Sequence, residues 1–258
     1  KGVGNGISIV LTINIISHMP NDIGTLYEQF IVGKSIPKGI LAGVIILAII
    51  IAMVVFVVFL QDGVRKIPVQ YSKKVQGRKQ VGGQSTHIPL KVNQAGVIPV
   101  IFGMSLLQLP QTLVYFWPNT GFSEFMTKWL STNGTPGVYF YSIFYAILII
   151  FFTYFYTAVT FNPMEVADNM KANGGFVPGI RPGRPTVEYL QKVMNRITFT
   201  GAIFLAVIAV MPLIIGNFTA IDFKFGGTSL LIAVGVALDT MKQLENQMVM
   251  RNYQGFLK

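Results

Sequence analysis

The 258-residue sequence contains no cysteine. That excludes disulfides, thiolate metal sites and cysteine nucleophiles. Histidine is nearly missing too. His18 and His87 are the only two, too few for a histidine metal cluster. Charge is scarce, at 12% of residues against about 25% in soluble domains. Acidic side chains are the rarer sign, 10 against 20 Lys and Arg, which leaves a formal charge of +10. So little charge beside 52% hydrophobic residues excludes a disordered chain. It points instead to a polytopic membrane protein with basic extramembrane parts. Catalytic signatures are lacking as well. There is no HExxH, no serine elbow and no carboxylate inside an apolar run. Gly2-Val3-Gly4-Asn5-Gly6 is glycine-rich, but no strand precedes it and its spacing is wrong for a dinucleotide fold. No catalytic residue, cofactor or metal ligand is expected.

What is present is a series of apolar runs. Gly39 to Leu60 is 22 residues without a charge. At about 1.5 Å per residue it reaches about 33 Å, enough to cross a hydrocarbon core of about 30 Å. Val138 to Phe161 adds 24 uncharged residues, and Ile197 to Ile221 adds 25 with Pro212 near its end. Three segments are weaker. A span over 95–115 carries Pro99, Gln108, Pro110 and Gln111 and runs into an outer loop with Trp117 and Pro118. Gly2 to Asn21 holds Asn5, Ser8, Asn14 and His18. Phe225 to Leu238 has only 14 uncharged residues, but its helical pattern continues through Asp239 to Met250 as a polar extension. Weakly apolar spans are tolerated where they face protein or water. The expected fold is therefore an all-α bundle of six transmembrane helices.

Charge sets the topology. The loop 61–94 holds seven Lys and Arg, the loop 162–196 five, the tail 239–258 three, and Lys1 precedes the first span. The opposite side has Lys34, Lys38, Lys128 and Lys224, balanced by Asp22, Glu28, Glu124 and Asp222. The basic side is cytosolic by the positive-inside rule, and both termini share it. No polar n-region precedes Gly2 to Pro20, so that stretch reads as a span met partway through a longer protein rather than as a signal peptide.

No Asp, Glu, Lys or Arg lies in the central part of any span, which argues against a proton relay or ion-coupled pump. In the first span Ile7, Leu11, Asn14 and His18 share one helical stripe. Two readings stay open there. The polar pair serves as interhelical glue, or the stripe lines a wet funnel narrowed at Ile7 and Leu11. The loop 61–94 has alternating segments Lys66 to Ser72 and Ser85 to Val92 around a basic, glycine-rich tip, Gln76 to Gly83. This predicts a β-hairpin-like cytosolic loop. In the loop 162–196, Pro178, Pro182 and Pro185 surround Gly179 and Gly183. That predicts a stiff, non-helical stretch presenting Arg181 and Arg184. The loop bases are either topology signals on solvated loops or docking groups for an acidic partner, RNA phosphate or protein carboxylate.

Several motifs are recognisable. Gln84-Ser85-Thr86-His87-Ile88-Pro89-Leu90-Lys91-Val92-Asn93, followed by Ala95-Gly96-Val97-Ile98-Pro99, closely resembles a cytosolic loop and the seventh span of the SecY family of protein-conducting channels. Phe161-Asn162-Pro163 with Ala167-Asp168-Asn169, then Phe176-Val177-Pro178-Gly179-Ile180-Arg181-Pro182-Gly183, is similar to that family's next cytosolic loop. Phe225-Gly226-Gly227-Thr228-Ser229-Leu230-Leu231-Ile232 resembles the opening of its tenth span, and Gly4-Asn5-Gly6-Ile7-Ser8 that of its fifth.

The resemblance implies that the six spans are the fifth to tenth of ten. Residues 1–20 would close the first channel half, 21–37 would be an external loop, and 38–258 would form the second five-helix half. It implies an hourglass pore for unfolded polypeptide and a lateral gate, one wall of which is 95–115 with 138–161. The apolar pore ring would map onto Ile7, Leu11, Ile101 and Ile232, with Leu11 in place of the more usual Ile. Arg78, Lys79, Arg181 and Arg184 would meet the SecA motor or the ribosome. SecE and SecG would be the membrane partners, signal sequences and unfolded preproteins the substrates, and the bacterial plasma membrane the location. The competing readings are half of an inverted-repeat secondary transporter and a purely structural subunit of a membrane complex.

Overall fold

The computed structural model describes residues 10, 13–17, 20, 24, 36–71, 74–76, 79–81, 85–118, 120–130, 136–219 and 227–255. Helix α1, Ile36–Asp62, carries the first long apolar run. Its Val44, Leu47, Ile51, Val55 and Phe59 recur at helical spacing, and each is more than half exposed. Such a stripe is stable against lipid, not water. The opposite face is buried through Met53, Val57 and Leu60.

After α1 the chain turns at Gly63 into strand β1, Val64–Tyr71. Strands β2, Lys74–Gln76, and β3, Lys79–Val81, pair with each other, and β4, Ser85–Lys91, returns antiparallel to β1. The register joins Val64 to Lys91 and Gln70 to Ser85. The hairpin predicted from alternation is therefore present, and β2 and β3, between its strands in sequence, pair in a sheet of their own. Burial follows the period of two: Ile67 and Val69 are buried, while Lys66, Pro68 and Gln70 are exposed. Pro89 lies on β4, an edge strand, where a missing N–H costs the ladder least.

Gly96, at φ +63°, bends the chain into helix α2, Ile98–Phe116. A backbone at that φ favours glycine, and Pro99 then sits in the first turn, where no N–H is needed. The outer loop expected after this span contains a short helix, α3, Gly121–Trp129. Thr120 caps it, its Oγ1 accepting from the Ser123 amide at 3.4 Å. Glu124 in the first turn and Lys128 in the last suit the helix dipole.

Helix α4 spans Gly137–Thr160 and helix α5 spans Pro163–Ala172. Asn162 starts α5, its Oδ1 accepting from the amides of Met164 and Glu165. The two-residue strand β5, Gly175–Phe176, pairs with the end of β1, Gln70 with Phe176 and Tyr71 with Gly175. Helix α6 runs unbroken from Arg184 to Thr219, and helix α7 from Gly227 to Gly255. The expected non-helical stretch through Pro185 is thus corrected. Helix α6 begins before that proline, because a proline in the first turn gives up no intrahelical hydrogen bond.

Among the described residues, three helical stretches are long and apolar enough to cross a membrane: Ile98–Phe116, Gly137–Ala172 and Arg184–Asn217. Helix α1 adds the apolar segment Leu47–Asp62. In the bundle α4 packs between α2 and α6, while α7 packs on α1 and α6. Val57, Val100, Leu107, Tyr145, Ile149, Leu205 and Leu231 form its core. A second core lies outside the bundle. There Ile67, Val69 and Leu90 of the sheet meet Ala167 and Met170 of α5, Val177, and Leu190 and Met194 of α6.

Candidate functional site

Of the four ring positions read from the sequence, Ile7 and Leu11 lie outside the described residues. Ile101 is on α2 and Ile232 on α7, and both are half-buried. One close approach lies near both in sequence. A Cβ on Gly235 would stand 3.3 Å from Cγ1 of Val97, so α7 passes closely over the start of α2. Ile101 follows Val97 by four residues, and its amide donates to the Val97 carbonyl at 3.2 Å. Ile232 precedes Gly235 by three. Ile101 thus lies about one turn along α2 from Val97, and Ile232 about one turn along α7 from Gly235.

Two further contacts hold α2. A Cβ on Gly103 would meet Tyr145 Cε2 at 3.3 Å, so the α4 ring packs closely against α2 there and an added methyl would displace it by a few tenths of an ångström. The Tyr145 hydroxyl donates to the Val100 carbonyl at 3.3 Å. This satisfies a phenol buried deep between helices. On the basic side of the same contact is a cavity of about 300 Å³. Gln61 of α1, Gln94, Tyr156 of α4, and Asp239, Thr240 and Gln243 of α7 supply its polar lining.

The basic loops converge more than the sequence indicates. Through β5 the loop 162–196 adds a strand to the hairpin of the loop 61–94. A two-residue strand has too short a pattern to be read in advance. Arg181 stands in the turn that follows β5. Gly179 and Gly183 adopt φ of +82° and +110° on either side of it. The Ile180 amide donates to the Val177 carbonyl at 3.0 Å, and the Thr186 hydroxyl donates to the carbonyl of Arg181 at 2.9 Å. Val177 and Thr186 are buried, while Arg181 is exposed. The turn is therefore anchored at both ends with its guanidinium turned outward. Arg184, whose side chain is 92% exposed, pairs with Glu188 at 3.5 Å along α6. Lys79 opens β3 opposite Gln76. Arg78 lies outside the described residues.

One contact was not foreseen. Lys242 of α7 pairs with Asp62 at the end of α1, joining residues 180 positions apart.

Comparison with known proteins fits this arrangement. The SecY family model matches residues 1–241. The chain belongs to the SecY family. It is 45% identical over 264 residues to the protein translocase subunit SecY of Chlamydia trachomatis serovar D. It is 50% identical over 262 residues to the subunit of that name from Streptomyces coelicolor. Both alignments take in 100% of this chain, but 57% and 58% of those relatives. The chain thus spans under three-fifths of the length of the SecY relatives it matches. A solved structure described as that of a protein conducting channel aligns with a TM-score of 0.61 at 22% identity, covering 96% of this chain and 60% of that one. Another, concerned with the plug domain of the SecY protein, gives 0.62 at 20%, covering 96% and 61%. The SecY fold and a membrane location follow. The named relatives are protein translocase subunits.

Proposed function

We propose that the chain supplies part of the wall of a protein-conducting channel, which passes unfolded secretory polypeptides across the bilayer and releases membrane helices into it. The observation that carries this reading is the match of the whole chain, at 45% and 50% identity, to relatives named as protein translocase subunits. The physical chemistry supports it. A pore that must accept any sequence is served by walls without fixed charge, and the spans have none at their centres. Ile101 and Ile232 would complete, with Ile7 and Leu11, an apolar constriction, which excludes ions by dewetting yet parts for a chain. With no nucleotide motif in the sequence, driving force would come from docked partners. The basic loops suit the SecA motor or the ribosome there, with SecE and SecG as membrane partners.

Residues 1–20 then close one channel half and 38–258 form the other, with both termini cytosolic. Single cysteines test the topology cleanly, because the chain has none of its own. An impermeant thiol reagent should label Lys128→Cys from outside sealed cells and spare Ser85→Cys. Outside labelling of Ser85→Cys would overturn the orientation. Docking is tested by Arg181→Glu in the full-length channel. Losing a hydrogen-bonded charge pair in an interface costs about 2–5 kcal/mol, a fall of roughly 30-fold or more in motor-driven translocation or ribosome affinity. Insertion and protein level should stay unchanged. Arg184→Glu should do less harm, because Glu188 already engages that guanidinium. Wild-type behaviour of Arg181→Glu in both assays would leave the loop bases as topology signals only.

A further inference from the structure

A second cavity, of about 390 Å³, opens where the hairpin base meets α6. Its chemistry is divided. Arg65 of β1 and Arg196 of α6 supply two guanidinium groups, and Val92, Val193 and Ile197 supply an apolar wall. The Thr200 hydroxyl, also in the lining, donates back to the Arg196 carbonyl at 3.1 Å. The donors left to face a ligand are therefore those of the two arginines. No carboxylate lines the cavity. The ion pairs among the described residues are Arg184 with Glu188 and Lys242 with Asp62, so neither Arg65 nor Arg196 is neutralised by a described acid.

The position is as informative as the composition. The uncharged run of α6 begins at Ile197, directly after Arg196, and the uncharged run of α1 ends at Leu60, shortly before Arg65. Both cations therefore sit at the boundary between hydrocarbon and water, on the basic side. The cradle is also rigid. Arg65 is held in register opposite Leu90. The Val92 amide donates to the Gly63 carbonyl at 2.8 Å. The Val92 carbonyl lies so close to α6 that a Cβ on Gly201 would stand 2.6 Å from it. The strand and helix that carry the arginines are thus fixed to each other through Val92.

We propose that this cavity binds the phosphate of an anionic phospholipid from the adjoining leaflet. Guanidinium groups match phosphate oxygens through paired, charge-assisted hydrogen bonds. Basic pockets between spanning helices at the cytoplasmic surface take lipid headgroups. The valine and isoleucine wall receives the glycerol and the first acyl carbons, which a free phosphate lacks. This inference rests on the membrane embedding of α1 and α6 and not on the translocation reading, so either can fail alone.

The test uses the full-length protein reconstituted with phosphatidylcholine and phosphatidylglycerol, then released into the gas phase for native mass spectrometry. Wild type should retain a phosphatidylglycerol adduct in preference to phosphatidylcholine. Arg65→Gln with Arg196→Gln should lower its occupancy roughly 10-fold or more, while Lys171→Gln, on α5, should not. Arg196→Lys, which keeps the charge but loses the planar fork, should fall between and serves if the double variant folds poorly. Millimolar inorganic phosphate should not displace the lipid; displacement would mean a free-phosphate site and overturn the lipid assignment. Equal retention by the double variant, or equal retention of phosphatidylcholine, would also overturn it. So would crosslinking of a reporter beside Arg196 to a protein subunit in place of lipid.

Discussion

Gly201 offers the sharpest test of how the helical bundle is joined to its loop domain. A Cβ built on Gly201 would stand 2.6 Å from the Val92 carbonyl oxygen and 3.4 Å from its carbon. Ordinary contact for such a pair starts near 3.4 Å, so Gly201→Ala requires α6 and the Val92 segment to part by about 0.8 Å. The obstacle is backbone, not the end of a flexible side chain, so no rotamer change relieves it. The segment is also tied, because the Val92 amide is bonded to the Gly63 carbonyl. Overpacking of this kind costs about 1–3 kcal/mol.

The matched control is Gly43→Ala in α1. Nothing lies within 4 Å of a Cβ there, and alanine is the better helix former by about 1 kcal/mol. The same chemical change should thus destabilise at 201 and be neutral or mildly stabilising at 43. The assay is thermal unfolding of the full-length protein in one detergent, read as the fraction still monodisperse after heating. Gly201→Ala should lose its fold at a lower temperature than wild type, and Gly43→Ala should not. Equal stability of Gly201→Ala and wild type would show that the junction is loose and that the close approach does not hold it.

Three other expectations follow from single contacts. Tyr145→Phe removes the hydrogen bond to the Val100 carbonyl while leaving the ring on Gly103, so it should cost about 0.5–1.5 kcal/mol, read in the same unfolding assay. Gly103→Leu should push α4 from α2 and cost more than Tyr145→Phe, because the Tyr145 ring is already 3.3 Å from the Cβ position; a smaller cost would refute the close packing. Gly183→Ala places a Cβ at φ +110°, a backbone that L residues avoid; it should loosen the Arg181 turn and speed protease cleavage there without affecting the spans.

The sequence displays what repeats and hides what is unique. The β1 and β4 strands are legible because Ile67, Val69 and Leu90 alternate with exposed neighbours in segments of seven or eight residues. Strand β5 was not, since two residues have no period. The long spans α4 and α6 stood out as charge-free runs, but the true start of α6 was hidden by Pro185. Proline signals a break in the interior of a helix and a beginning in its first turn, and only the location of the helix tells which applies. Helix α3 was masked because Trp117 and Pro118 look like loop residues, although Thr120, Glu124 and Lys128 spell a cap and a dipole pattern. For the candidate site, Ile101 and Ile232 could be matched by resemblance. The close approach of α7 to the start of α2, at Gly235 and Val97, joins residues far apart in the chain and leaves no pattern in the sequence. Arg181 and Arg184 are legible as bases among Gly and Pro, and the pairing of Arg184 with Glu188 follows the helical i,i+4 spacing that appears only once the start of α6 is placed.

Magnitudes decide what couples the loop domain to the bundle. The Asp62–Lys242 pair bridges α1 and α7, but its side chains are 49% and 40% exposed, and exposed pairs contribute only about 0–1 kcal/mol. It can orient the end of α1 but cannot hold the domain. Packing around Val92 can. One peptide segment accounts for the hydrogen bond to Gly63, the contact with Gly201 and one wall of the arginine cavity. The sheet is in turn bound to α5 and α6 by a buried core of eight residues from Ile67 to Met194. Buried aliphatic side chains contribute about 1.5–3 kcal/mol each, so that core outweighs the surface ion pair several times over. The Arg181 turn is therefore joined to the bundle twice, directly by the chain into α6 with the Thr186–Arg181 hydrogen bond, and through β5 and β1 to Gly63 and α1. In the same unfolding assay Asp62→Asn should therefore cost less than Gly201→Ala.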